Sequence, residues 1–283
     1  MTQPGNMTTR EYQLGDDEFA RIRQLVMRHS GINLQPAKRD LVYGRLAKRL
    51  RNLGFNTFRA YCDHVEDSPQ ELEEFTNAIT TNLTSFFREP HHFEYLAQTL
   101  VPELLERQRA NRRIRIWSAG CSTGEEPYSI AITLREAIPD IQNWDVRILA
   151  TDLDTNCVAH ARNGIYEAEK LASIDQRLLR KWFQRGTGAR SSKVRLTASV
   201  RDMISFKQLN LMRDWPVKGP FEAIFCRNVI IYFDKDTQRR LFARYAQVLP
   251  SGARLFLGHS ESLHNVSDQF ELIGKTIYRR VAL

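Results

Sequence analysis

The chain has 283 residues, 42% of them hydrophobic and 26% charged, an ordinary globular composition with length for one large domain or two smaller ones. No apolar run approaches the ~20 residues that span a bilayer, and the polar start "MTQPGNMTTREYQLGDDE" lacks the basic-then-apolar order of a secretion signal. The net charge of +8 favours an acidic partner without choosing among nucleic acid, an anionic membrane and an acidic protein face.

Cysteine usage points to a reducing cytoplasm. Cys62, Cys121, Cys157 and Cys226 are widely scattered with no CxxC pair, so neither a zinc site nor a disulfide framework is expected. His91, His92, His160 and His259 show no metal-ligand spacing, and no metal is expected.

Residues 1–15 read as a polar tail and residues 16–88 as an all-α domain. "DDEFARIRQLVMRHSG" places Phe19, Ile22, Leu25 and Val26 at helical spacing, with Gly31 as its stop. "KRDLVYGRLAKRLRNLG" carries a Val42/Leu46/Leu50/Leu53 stripe and stops at Gly54. At about 100° per residue, Lys38, Arg45, Lys48 and Arg49 flank that stripe, while Arg51 points elsewhere. "TFRAYCDHVED" and "SPQELEEFTNAITTN" read as two further helices, the second with Ser68 as N-cap and Pro69 at the first helical position.

From residue 89 the pattern changes. "HHFEYLAQTLVPELLERQRANRR" is a helix, with His91–His92 as interdomain linker. Strand candidates then alternate with helices: "RIRIWSA" (113–119), "DVRILATDLD" (145–154), "FEAIFCRN" (221–228), "ARLFLGHSE" (253–261) and "KTIYRRVAL" (275–283). Such alternation predicts a mostly parallel sheet with helices on both faces. Residues 166–210 break it, because "RKWFQRGTG", "KVRLTASV" and "MISFKQL" read as three short antiparallel strands joined by turns at Gly186–Gly188 and Arg201–Asp202. A small β insertion in an α/β domain is expected.

The candidate site follows from the strand ends. In an open parallel sheet, ligands bind beyond the carboxyl ends of the strands. The loop after the first strand holds Gly120 and Gly124 but not the G-x-G-x-x-G spacing of a dinucleotide fingerprint, and Glu125 and Glu126 follow at once. Two carboxylates would repel a pyrophosphate and suit a cationic ligand. The second strand ends in "ATDLD", where Asp152, or secondarily Asp154, stands ready to accept hydrogen bonds from ribose hydroxyls. A cationic nucleoside without pyrophosphate points to S-adenosylmethionine. Taken singly, the glycine turn is also consistent with any tight βα turn, and an aspartate at a strand end with a helix N-cap.

"TTNLTSFFREPHHF" (80–93), "SAGCSTGEEPYSIAI" (118–132), "ATDLD" (150–154) and "FCRNVIIYFDKDTQ" (225–238) resemble the motifs of the bacterial chemotaxis receptor methyltransferases, the CheR family, along nearly the whole chain. The resemblance implies a Rossmann-like S-adenosylmethionine-dependent methyltransferase domain (89–283), an N-terminal all-α domain and an antiparallel β insertion. It implies methyl transfer to glutamate side chains of chemoreceptors, with S-adenosylhomocysteine as product. By resemblance, Asn82, Thr84 and Arg88 line the cofactor pocket, Glu126 meets the cofactor's amino group, Asp152 its ribose, and Asn210 and Leu211 its adenine. Arg227 and Asn228 face the pocket, Arg88 either holds the cofactor's methionine carboxylate or steers the incoming glutamate, and Tyr232 orients the attacking carboxylate. Bland alternatives are a surface Arg88–Glu89 pair, a core leucine at Leu211 and a buried structural Tyr232.

The implied partner is the cytoplasmic helical domain of a chemoreceptor, an acidic surface that Lys38, Arg45, Lys48 and Arg49 are placed to meet. Some family members also hold a receptor C-terminal peptide on the β insertion by strand addition. A monomer without membrane insertion is expected. Two rivals remain. A nucleic-acid methyltransferase would show an (Asp/Asn)-Pro-Pro-(Tyr/Phe) loop where this chain has "CRNVIIYF", and nucleic acid is not an expected partner. A non-catalytic S-adenosylmethionine-sensing scaffold would have lost Arg88, Asp152 or Tyr232, all of which are present.

Overall fold

The computed structural model describes residues 10–282, so most of the expected polar tail and the last residue of the final strand candidate lie outside the described residues. The chain divides into two compact units between Thr81 and Asn82.

In the first unit, helices α1 (Asp16–Ser30), α2 (Arg39–Leu53), α3 (Phe58–Asp67) and α4 (Pro69–Ile79) follow the expected pattern. Gly31 and Gly54 end α1 and α2 at φ 74° and 76°, the left-handed caps that glycine adopts freely. Ser68 Oγ accepts from the main-chain N–H of Glu71 at 3.2 Å, with Pro69 opening α4. The apolar stripes meet in one core that includes Ile22, Leu25, Val42, Leu46, Leu50, Phe58 and Phe75. Leu53, the last residue of the expected α2 stripe, is exposed.

The second unit starts at Asn82, seven residues earlier than the sequence suggested. The segment 82–88 belongs here because Phe86 packs edge-on against Tyr166 and Phe183, and the N–H of Phe87 donates to Ser129 Oγ at 2.9 Å. Helix α5 (His91–Tyr95) passes through a π-turn (Leu96–Leu100) into α6 (Val101–Arg107). Pro102 cannot donate an N–H there, and the wider turn accommodates the missing bond. His91 and His92 therefore open a helix and are not linker; both rings contact the Lys275 carbonyl, at 3.2 and 3.1 Å.

The strands are β1 (Arg113–Ala119), β2 (Asp145–Asp152), β3 (Ile165–Glu167), β4 (Phe183–Arg185), β5 (Lys193–Leu196), β6 (Ile204–Gln208), β7 (Ala223–Cys226), β8 (Arg254–Leu257), β9 (Phe270–Gly274) and β10 (Ile277–Arg280). Between them lie α7 (Glu125–Ala137), α8 (Thr155–Asn163), α9 (Gln176–Trp182), α10 (Ala198–Arg201) and α11 (Lys235–Val248). Seven strands form one sheet in the order β6-β2-β1-β7-β8-β10-β9. The first five are mutually parallel, and β10 joins antiparallel to both β8 and β9. Side-chain alternation splits the core between the two faces: Ile116, Phe225 and Phe256 pack in one cluster, and Trp117, Ile224 and Leu255 join Leu241, Phe242 and Tyr245 of α11 in the other.

Two strand expectations change. "MISFKQL" supplies β6, which pairs parallel with β2 at the edge of the main sheet, so it is not part of the insertion. The small antiparallel sheet has the order β3-β5-β4, its third strand coming from Ile165–Glu167. A long connection carrying α10 separates β5 from β6, and apolar residues at Ile204 and Phe206 suit the buried parallel position better than an exposed hairpin. The strand β9 was not anticipated; its sequence "FELIG" alternates too briefly to stand out.

Candidate active site

Strand β1 lies between β2 and β7, and the chain leaves it first toward β2 and β6, later toward β7 and β8. That reversal opens a crevice at the carboxyl end of β1, where the loop Gly120–Gly124 sits. The main-chain N–H groups of Gly120 and Cys121 donate to the Thr151 carbonyl at 2.8 and 2.9 Å, folding the loop back over β2. Gly120 (φ 95°) and Gly124 (φ 100°) both need glycine. A Cβ on Gly120 would stand 2.3 Å from Val229 Cγ2, and one on Gly124 would stand 2.8 Å from both Ala161 Cβ and the Tyr166 hydroxyl. The backbone is thus packed as closely as its neighbours permit.

Asp152 closes β2 beside this loop. Its Oδ2 accepts from the N–H of Ser122 at 2.7 Å and its Oδ1 from the N–H of Asp154 at 3.0 Å. Burial pushes its carboxyl up to about 6, against the pull of those N–H groups. The helix-capping alternative belongs to its neighbour: Asp154 Oδ1 accepts from Asn156 and Cys157 at the start of α8. Asp154 Oδ2 takes a 2.7 Å bond from Asn82 Nδ2, and the Asn82 carbonyl accepts from Ser122 Oγ at 2.8 Å. The segment opening the second unit is thereby tied to the ends of both β1 and β2. Thr84 lies partly exposed in the same segment.

Glu126 is buried in the first turn of α7. Ser118 Oγ donates to its Oε1 at 2.7 Å and Arg227 Nη1 to its Oε2 at 3.1 Å. Burial pushes the Glu126 carboxyl up, while Arg227 and Ser118 oppose the shift. Arg227 follows β7 and is itself buried; beyond Glu126, its Nη2 lies 3.3 Å from Glu89 Oε2 and also donates to the Arg88 carbonyl. Arg227 is therefore a bracket between two carboxylates, Glu89 and Glu126.

Glu89 was missed as more than a surface partner of Arg88. It bonds His259 Nδ1 at 3.0 Å and pairs with Arg227, so the alternative of an Arg88–Glu89 surface pair does not hold. Burial would raise Glu89, but the His259 bond and the Arg227 charge outweigh it and hold the carboxyl down near 2. Arg88 itself donates to the Leu83 carbonyl at 3.1 Å. Glu89, His91 and His92 each bring a ligand-type atom within 4.8 Å of the others, a proximity that sequence spacing did not suggest. The Arg227 guanidinium already supplies the positive charge beside Glu89. Burial, with the neighbouring charges of Arg227 and His91, pushes His92 down to about 3, leaving it neutral.

After β6, the N–H of Leu209 donates to the Asp152 carbonyl at 2.9 Å, which carries Asn210 and Leu211 to the end of β2. Asn210 Oδ1 accepts from Met212 N at 2.8 Å. Leu211 is buried in the core cluster with Trp117, in line with the bland alternative. Beyond β7, Asn228 takes φ 60° and Tyr232 closes a short 3-10 turn (Ile230–Tyr232), partly exposed and not a buried core tyrosine.

Two family models match most of the chain: residues 82–279 fit the CheR methyltransferase SAM-binding domain and residues 17–80 the CheR methyltransferase all-alpha domain. The chain belongs to the CheR methyltransferase family. It is 44% identical to chemotaxis protein methyltransferase 2 of Pseudomonas aeruginosa over 95% of this chain and 94% of that protein. It is 42% identical to the chemotaxis protein methyltransferase of Escherichia coli over 95% of this chain and 93% of that protein. A probable chemotaxis protein methyltransferase of Rhizobium etli is 43% identical, covering 90% of this chain and 96% of that protein. The family boundary at residue 82 coincides with the start of the second unit.

The basic residues expected to meet a partner behave differently from one another. Arg45 donates to the carbonyls of Ile79 and Thr80 at 2.6 and 2.7 Å, and Arg49 pairs with Glu71 and Glu74. These two stitch α2 to α4. Lys38 and Lys48 are exposed. No described helix is long and apolar enough to cross a membrane.

Proposed function

We propose that the chain is a cytoplasmic, monomeric chemotaxis methyltransferase that transfers a methyl group from S-adenosylmethionine to glutamate side chains of chemoreceptors. The products are glutamate methyl esters and S-adenosylhomocysteine, and the physiological role is sensory adaptation. The observation that carries this reading is the pair of carboxylates, Asp152 and Glu126, flanking a glycine loop within a family-matched cofactor domain. Such a site suits a sulfonium and an ammonium and repels pyrophosphate.

The residues present fit the cofactor. Asp152, fixed by two N–H donors, offers its remaining acceptor capacity to ribose hydroxyls. Glu126, fixed by Ser118 and Arg227, faces an ammonium group. Asn82, Thr84, Asn210, Leu211 and Asn228 complete the surroundings. Bound S-adenosylmethionine supplies a sulfonium-activated methyl group that a carboxylate oxygen takes by in-line displacement. A substrate glutamate has an ordinary pKa of about 4.3, so it arrives ionised and needs no strong base. Arg88 and Tyr232 act by orienting that carboxylate.

The receptor's helical domain docks through exposed cations, Lys38 and Lys48 among them. The outer strands β3 and β4 of the small sheet each pair on one side only, which supports strand addition by a receptor C-terminal peptide. The test is incubation with radiolabelled S-adenosylmethionine and receptor-containing membranes, with peptide mass spectrometry of the receptor. Label on glutamate as base-labile methyl ester is expected. Tight cofactor binding without any transfer would instead establish the non-catalytic scaffold.

A further inference from the structure

We propose that Glu261 is a positioning residue for methyl transfer, an assignment that rests on the methyltransferase reading above. Glu261 follows β8 and is 4% exposed. Its Oε1 accepts from the main-chain N–H of Ile230 at 2.9 Å and of Ile231 at 3.3 Å. Its Oε2 accepts from Asn228 at 2.8 Å and Gly258 at 2.6 Å. All four donors are main-chain groups, and three belong to the strap 227–232 that follows β7. Converging N–H groups of this kind form an anion nest; here the anion is a side chain of the protein itself.

Asn228 sits at φ 60°, a conformation non-glycine residues adopt at some cost, and the N–H groups of Asn228, Ile230 and Ile231 all converge on the Glu261 carboxylate. The turn below is equally close, since a Cβ on Gly258 would lie 2.4 Å from Asn228 Nδ2. Burial pushes the Glu261 carboxyl up and the N–H groups pull it back.

What the strap carries gives the grip its consequence. Arg227 at its start brackets Glu126, Val229 presses on the site of Gly120, and Tyr232 closes its end. The Glu261 carboxylate is taken up by four main-chain donors, so its role is to set where these three residues stand. A merely structural buried glutamate would alter stability and leave turnover per folded molecule unchanged.

The test is Glu261→Gln, whose amide nitrogen sets a donor against donors, assayed for methyl transfer and for S-adenosylhomocysteine binding on protein shown to be folded. Turnover is expected to fall at least thirtyfold while affinity weakens less than fivefold, because Asp152 and its N–H donors lie on other loops. Glu261→Asp keeps the charge at a shorter reach and is expected to fall in between. Turnover of Glu261→Gln within threefold of wild type would overturn the assignment. Hydrogen exchange on the unsubstituted chain tests the grip on which the assignment depends, whether or not the variants fold. The amides of Asn228, Ile230 and Ile231 are expected to exchange at least a hundredfold more slowly than unstructured ones, and free exchange overturns the proposal. A wild type that transfers no methyl group refutes the methyltransferase reading, whereas the exchange result reports on the Glu261 grip independently.

Discussion

Two loops frame the crevice, and they are held in different ways. The loop 120–124 is secured by its immediate neighbours in the sheet: Thr151 and Asp152 at the end of β2 take the N–H groups of Gly120, Cys121 and Ser122. The strap 227–232 is secured from elsewhere, by Glu261 beyond β8 and by Glu89 and Glu126 around Arg227. The first loop owes its shape to glycines and strand adjacency, the second to buried charge. A neutral substitution should therefore be felt more in the strap, and a steric one more in the glycine loop.

The largest effect is expected where charge is most buried. Arg227→Met leaves Glu89 and Glu126 without their shared cation, and breaking a buried ion pair costs about 3–5 kcal/mol. Urea unfolding should show that loss; a change under about 1 kcal/mol would mean the strap does not depend on the bracket. Next comes Gly120→Ala. The added methyl would meet Val229 at 2.3 Å in a backbone at φ 95°, and S-adenosylhomocysteine affinity should fall by about tenfold or more. Wild-type affinity in this variant would show that the two loops yield independently.

The pH dependence sharpens the contrast further. Asp152 is pushed up to about 6 by burial, above its ordinary value of 3.8. A raised carboxyl pKa disfavours the folded chain at neutral pH, and that penalty is relieved as pH falls through 6. Cofactor binding needs the ionised form, so affinity moves the other way and should drop about tenfold between pH 7 and pH 5. Asp152→Asn should bind weakly and lose the Asp152 contribution to that trend; an unchanged profile in the variant would reassign the titration to another group. The smallest effect lies outside both loops. Lys38→Glu/Lys48→Glu should slow methylation of receptors about threefold at low salt and hardly at all at high salt, and an unchanged low-salt rate would remove α2 from the docking surface.

The same contrast explains what the sequence disclosed. Helix stripes, glycine stops and the β1 loop are local patterns, so α1–α4, the glycine turn and the position of Asp152 at the end of β2 were legible directly. Asp154 as the helix cap needed the structure only to separate it from its neighbour two residues away. The strand β6 was misplaced because its five residues alternate as well for a hairpin as for a sheet edge, and its partner β2 lies more than fifty residues back. Arg227 drew attention as a residue at a strand end, but its role as a bracket depends on Glu89, far away along the chain. Glu261 gave no local signal, because its donors Asn228, Ile230 and Ile231 lie about thirty residues back along the chain. Likewise the Lys38/Arg45/Lys48/Arg49 stripe was correct as a pattern of charge, yet Arg45 and Arg49 are committed to α4, which periodicity alone does not reveal.

The most direct test of the central claim, that the crevice binds S-adenosylmethionine through Asp152, is calorimetric titration of the chain with S-adenosylhomocysteine at pH 7, repeated on Asp152→Ala. The account predicts one site per chain in the wild type and at least about hundredfold weaker binding in the variant, since hydrogen bonds to a charged acceptor are worth about 1.5–3 kcal/mol each. Equal affinity in the two proteins, or no binding by a folded wild type, would contradict it.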